Sequence, residues 1–258
     1  MTTQTEIIDS SLDLAGKVVL VTGATRGLGL AIARKLCASG CEVLLNYAND
    51  DNAAEEAVRA LTGLGGKIDV VKADIGRPDE VDRLLDEVTR THGRLDVLVH
   101  NASLFHPMPS GKPSAGLCEE DRAVALGPLL HGVERLAAML PDGSGRIIAI
   151  SSSGARQVVP GYVSLGMAKA ALESLVRYLA VEFAPRGITV NTISAGKLDK
   201  GTGSDPGGMA TRIVARTPGG RLTGVDDVAD VAALLCRKEA GWIHGQVIVV
   251  DGGLGLTA

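Results

Sequence analysis

The sequence predicts a single α/β domain: a doubly wound, seven-stranded parallel sheet with helices on both faces. Three observations predict it. Short apolar, β-branched runs alternate with stretches of helical periodicity along nearly the whole chain. Each strand-like run is apolar almost throughout, as in a sheet covered on both sides. A glycine-rich turn joins the first such run to the first helical stretch.

Residues 1–15 are polar and acidic and read as a flexible tail; the domain is expected over 16–258. Val18 to Gly23 is a buried strand, and Leu30 to Ser39 has helical spacing. Glu42 to Asn46 is the second strand, followed by a helix over 53–64 that glycines end. Ile68 to Ala73 is the third strand, and Pro78 opens an amphipathic helix to Thr91. Leu95 to His100 is the fourth strand, and Asp121 to Leu140 one long helix closed by Pro141. Arg146 to Ser151, a helix over Val163 to Phe183, and Ile188 to Ile193 follow. A helix over Asp226 to Leu235 and a strand over Gln246 to Val250 complete the alternation. Two irregular stretches, 103–116 and 197–220, each follow a strand's C-terminal end, where ligands of open α/β sheets bind; the second has the composition of a mobile lid.

Composition narrows the function. Of 258 residues 45% are apolar, enough for a full core, but only 2% are aromatic, too few for a platform on which bases stack. The net charge is −4 and the basic residues are scattered, so no nucleic-acid stripe is expected. The four cysteines match no zinc spacing, and His92, His131 and His244 have no metal-ligand pattern, so no metal site is expected. The start has neither a positive n-region nor an apolar run, and no stretch has membrane-span length. A cytoplasmic protein without membrane partners is the expectation by elimination.

The turn TGATRGLG carries the first chemistry. Gly23, Gly27 and Gly29 allow a tight turn and close approach of a pyrophosphate to a helix N-terminus. Thr25, Arg26 and Leu28 stand between them as part of the same candidate site. The second strand ends at Asn46, where an acidic residue would bind the ribose of NAD. A neutral Asn46 and a cationic Arg26 favour NADPH over NADH, while Asp50 and Asp51 weigh against it. The glycine spacing resembles that of the short-chain dehydrogenase/reductase family.

In that family a tyrosine donates the proton, and a nearby lysine lowers its pKa and holds the nicotinamide ribose. The common spacing is YxxxK, but here Leu165 stands four residues before Lys169 and the nearest tyrosine is Tyr162, seven before it. Four residues advance a helix by about 40° and seven by about −20°, so either tyrosine shares the lysine's face; the shift is axial, about 4.5 Å. Reduction of an enoyl thioester delivers hydride to the β-carbon, two bonds beyond the carbonyl carbon. The acid that meets the enolate oxygen then sits further from the nicotinamide than in ketone reduction.

The segment GARQVVPGYVSLGMAKAALESLVRYLAVEFAPRGITVNTISAG, with HGRLDVLVHNAS and GQVIVVDGG, resembles the bacterial enoyl-acyl-carrier-protein reductases that keep a TGxxxGxG loop. The similarity runs from Lys17 to about Leu254. It implies a Rossmann fold, a nicotinamide cofactor, a Tyr162–Lys169 pair, a homotetramer, and a small-molecule or acyl-thioester substrate, free or on an acyl carrier protein. It also implies supporting hydrogen bonds from Ser151 or Ser152, and cofactor contacts from Asp74, Ile75, Asn101, Ala102 and the backbone at Leu198. There are departures: His100 begins the HNA triplet, no relay asparagine occurs in Ala123–Pro128, Ser152 replaces a second tyrosine, and Lys197 replaces a proline. Two other readings stay open: a carbonyl reductase of secondary metabolism, and a non-catalytic dinucleotide-binding regulator, hinted at by Leu165. His106 reads as a solvated loop histidine, and Cys37 and Cys41 as core thiols.

Overall fold

The computed structural model describes residues 13–199, 201 and 208–257. Seven parallel strands, β1 (Val18–Thr22), β2 (Glu42–Tyr47), β3 (Lys67–Lys72), β4 (Val97–His100), β5 (Arg146–Ser152), β6 (Thr189–Ala195) and β7 (Val247–Val250), lie in the order β3-β2-β1-β4-β5-β6-β7. The helices are α1 (Gly27–Ala38), α2 (Asp51–Leu61), α3 (Pro78–His92), α4 (Ala115–His131), α5 (Val133–Met139), α6 (Val163–Phe183), α7 (Met209–Arg216) and α8 (Val225–Leu235).

The strands are continuous apolar runs because both faces are covered. One face carries Val19, Val21, Val43, Leu45, Val97, Ile148 and Ile193 against α1 and α8. The other carries Val18, Leu20, Leu44, Leu98, Ile147 and Val190 against α3, α4 and α6. Each fully buried Val or Leu contributes about 1.5–3 kcal/mol. The edge strand β3 is largely exposed and bears Lys67, Asp69 and Lys72, charges that oppose edge-to-edge pairing. Strand order reverses between β1 and β4, so the chain diverges there and a cleft opens at their C-terminal ends.

Local signals set the ends of the helices. The Asp50 carboxylate caps α2 by accepting the Ala53 N–H, and Pro78 starts α3, which ends at Gly93 with φ of 68°. The long helix expected over 121–140 is two. It begins earlier, at Ala115, where Ser114 Oγ accepts the Leu117 N–H, and it breaks at Gly132. There a Cβ would lie 2.8 Å from Pro128 O and 2.9 Å from Leu85 Cδ1, and Pro128 lacks an N–H.

The stretch 197–220 is not wholly irregular, since it contains α7, a short helix with no buried residue. Residues 200 and 202–207 of the expected lid lie outside the described residues, as do 1–12 of the expected tail. Of that tail's end, Leu14 is 1% exposed and belongs to the core. Among the described residues no helix is long and apolar enough to cross a membrane, and no group of acidic, His and Cys side chains is placed to hold a metal.

Candidate active site

A cleft of about 500 Å³ opens at the strand-order reversal. It is lined by Gly23, Thr25, Arg26, Leu28, Gly29, Asn46, Asp74, Ile75, Asn101 and Ala102, among others. A Cβ on Gly29 would overlap Gly23 O, and Gly23, at φ of 63°, would bring one to 3.0 Å from Ala102. Gly27 adopts φ of 53°, with open space where a Cβ would point. The Asn101 amide ties the loop down by donating to Thr22 O and Gly23 O. A glycine turn at a helix N-terminus above a long cleft fits a dinucleotide.

Polar side chains around the cleft are disposed as follows. Asn46 Nδ2 donates to Val71 O and Ala73 O, so its amide joins β2 to the end of β3 while also lining the cleft. Asp74 accepts the Gly76 N–H. Asp50 is used as the α2 cap, and Asp51 is held by Lys72 and the Tyr47 hydroxyl. Arg26 is exposed and has no ion-pair partner among the described residues. Gly27 and Leu198 are not among the residues lining the cleft; Leu198 pairs with Thr223 across an isolated bridge.

The HNA triplet has a structural reason. Thr22 Oγ1 accepts the N–H groups of Asn101 and Ala102, which leaves its hydroxyl proton for His100 Nδ1 at 3.2 Å. His100 Nε2 then donates to Ala125 O at 2.7 Å. Full burial, with the Lys169 charge nearby, holds the imidazole down at about 4, so it is neutral.

Tyr162 is the N-cap residue of α6, not a member of its first turn. Its half-buried ring meets Phe105 at a centroid distance of 5.1 Å and covers Gly154, where any Cβ would overlap Cδ1 and Cε1. The Met108 N–H donates to Gly161 O and ties the loop after β4 to the same turn. Burial raises the Tyr162 phenol above its ordinary value, the Ser152 side chain opposes this by hydrogen bonding, and the Asp121 charge adds to the rise. The lowered tyrosine expected from a neighbouring lysine is not what this structure has. Lys169 is 3% exposed, donates from Nζ to Ile150 O at 2.7 Å, and is pushed down to about 8 by burial.

The two serines part company. Gly154 N–H donates to Ser152 Oγ, leaving the Ser152 hydroxyl proton for the phenol. The buried Ser151 hydroxyl instead donates to Glu173 Oε1 of α6 at 2.7 Å. Glu173 also accepts from Arg156 at 2.9 Å. Ser151 is therefore a partner of a buried carboxylate, and Ser152 is the serine beside Tyr162.

His106 is not a solvated loop histidine, because its Nδ1 donates to the fully buried Asp121 at 2.8 Å. Asp121 was legible in one respect: it interrupts an apolar helical stripe formed with Leu117, Val124 and Ala125. Gly154 and Phe105 carried no sequence signal of their role, since only the fold brings them to the tyrosine.

Comparison with known proteins places the chain in a family. Residues 23–255 match the family model described as Enoyl-(Acyl carrier protein) reductase. The chain is 40% identical over 253 residues to 1-cyclohexenylcarbonyl-CoA reductase of Streptomyces collinus, covering 94% of this chain and 88% of that protein. It is 35% identical, with a TM-score of 0.86, to the promiscuous reductase LugOII, which catalyses keto-reduction at C1 during lugdunomycin biosynthesis; 94% and 99% of the two chains are covered. A short-chain dehydrogenase from Burkholderia cenocepacia, solved in complex with NADP, is 32% identical with a TM-score of 0.86 and the same coverage.

Proposed function

The chain belongs to the short-chain dehydrogenase/reductase family and is an NAD(P)H-dependent reductase, and from that premise we propose that it reduces the C=C bond of an enoyl thioester. The observation that carries this is the place of Tyr162: at the N-cap of α6, seven residues from Lys169, with Leu165 buried at the common tyrosine position. The bound cofactor supplies the hydride. Tyr162, a phenol kept protonated by burial, donates its hydrogen bond to the thioester carbonyl oxygen as charge develops there, and Ser152 supports the phenol. Lys169 holds a positive charge beneath the site below about pH 8. The relative that acts on a cyclohexenylcarbonyl-CoA supports an α,β-unsaturated thioester as the substrate class.

NADPH is the proposed cofactor. Arg26 lines the cleft with no ion-pair partner among the described residues, and Asp51 is neutralised by Lys72; Asp50 also lines the cleft, with one carboxylate oxygen capping α2, so the reading of a 2′-phosphate rests on the Arg26 cation. Arg26→Ala is expected to raise KM for NADPH about tenfold and leave KM for NADH unchanged. Exposed apolar side chains on α6 (Met167, Tyr178, Val181) and β7 (Val249) support self-association, proposed as a homotetramer and checked by light scattering.

Turnover is tested by following cofactor oxidation with crotonyl-CoA, cyclohexenylcarbonyl-CoA and the same acyl groups on a carrier protein. Oxidation with these thioesters and not with ketones is expected. Turnover of ketones alone would overturn the proposal in favour of carbonyl reduction, the second reading, which the LugOII likeness favours. Tyr162→Phe is expected to lower kcat by about 10²–10⁴ with cofactor binding retained.

A further inference from the structure

Tyr162 is the N-cap of α6: its carbonyl accepts the Gly166 N–H at 2.7 Å, but its φ and ψ are not helical, so the residues around that turn share in orienting its side chain. One cluster does so from three directions. Asp121 of α4 is fully buried, and a buried carboxylate persists only when paired and hydrogen-bonded. Its Oδ2 accepts the Ser164 hydroxyl at 2.5 Å, two residues after Tyr162. Its Oδ1 accepts from His106 Nδ1 at 2.8 Å, and Oδ2 also takes the His106 backbone N–H at 3.3 Å. His106 follows Phe105, the ring that lies against Tyr162, and precedes by two residues Met108, whose N–H bonds Gly161 O. Ser164 is 2% exposed, and the His106 side chain is 30% exposed with Nε2 at 3.8 Å from Glu120.

We propose that Asp121 and His106 are positioning residues for Tyr162: the carboxylate clamps the loop after β4 to the start of α6 and so sets the orientation of the phenol. This rests on Tyr162 as the acid and adds the device that holds it. Asp121 joins the two segments that flank the phenol, the His106 loop and the first turn of α6 at Ser164. The charged and titratable groups that face this pair are Asp121 and Glu120 on α4, His106 on the loop and the Tyr162 phenol itself; Lys169 turns away to Ile150 O.

The test uses the full chain with three substitutions. An asparagine amide nitrogen occupies the place of imidazole Nδ1, and a glutamine amide that of Nε2. His106→Gln is expected to lower kcat about tenfold with KM for NADPH unchanged, and His106→Asn to restore kcat to within about twofold of the parent. Asp121→Asn removes a negative charge beside the phenol, so Tyr162 is expected to ionise at lower pH. This is read without substrate as the ultraviolet phenolate signal minus that of the same protein carrying Tyr162→Phe, which isolates one of three tyrosines. Where Asp121→Asn fails to fold, Ser164→Ala with the two His106 variants carries the test through the same kcat and KM split. Equal kcat for His106→Gln and His106→Asn, or an unmoved Tyr162 titration in folded Asp121→Asn, overturns the inference. Unimpaired turnover in Tyr162→Phe would instead overturn the assignment of the acid, leaving the effect of Asp121 on the phenol titration to be judged separately.

Discussion

Tyr162 packs over Leu165, and the two divide a task that the common spacing gives to one residue. Leu165 is 5% exposed in a small apolar cluster with Ala125 and Ala168, and the Tyr162 ring lies against that cluster. The position four before Lys169 is thus core, and the phenol sits above it.

A tyrosine at 165 therefore has no room. Leu165→Tyr is expected to destabilise the fold by about 1–3 kcal/mol through overpacking. Combined with Tyr162→Phe, it is expected not to restore turnover. Denaturant unfolding and the cofactor-oxidation assay check the two halves; recovery of activity in the double variant would show that position 165 reaches the site.

Gly154 is the floor on which the Tyr162 ring rests. Gly154→Ala places a methyl group where Cδ1 and Cε1 now lie, so the ring must move. A displacement near 1 Å costs about 10²-fold in rate, so kcat is expected to fall by about that factor. The glycine loop is remote in sequence and untouched, so cofactor affinity measured by NADPH fluorescence is expected to stay within about twofold.

Ser151 and Ser152 are adjacent and yet should fail differently. Ser151→Ala removes a hydrogen bond from the buried Glu173 carboxylate and is expected to cost about 1.5–3 kcal/mol of stability. Ser152→Ala is expected to lower kcat with little change in the unfolding midpoint. Thermal unfolding and steady-state kinetics on both variants separate the two; the reverse pattern would return Ser151 to the active site.

Lys169 predicts the alkaline behaviour. Burial disfavours its ammonium form, so the cation is present below about pH 8 and lost above it. A step that needs the cation makes kcat/KM fall as pH rises through about 8. Lys169→Arg, whose guanidinium stays charged, is expected to move that limb upward or abolish it. On stability the sign is opposite: the unfolded chain keeps the proton to about 10.4, so this group makes folding more favourable as pH rises from about 8 to about 10.4. Chemical unfolding across that window checks it.

The alternation of seven apolar strands with amphipathic helices was legible because burial on both faces removes the period-two pattern from every interior strand. The glycine loop and the helix that carries Lys169 were legible for a similar reason. Both are local, set by backbone geometry along one segment. Where the packing environment decided the outcome, local pattern misled: the 121–140 helix breaks at Gly132, where a side chain would meet Leu85 and Pro128, and α7 was missed because it buries nothing.

The sequence alone determined the sheet and the glycine turn at the start of α1, since both are set by local backbone geometry and burial pattern. Only the tertiary structure decided which serine faces the phenol, why a histidine ends β4, and that Asp121 joins the Phe105 loop to the start of α6. Those facts depend on contacts between residues 15 to 78 positions apart. Such contacts exist only once the sheet has brought β1, β4, β5 and the helices behind them to one edge.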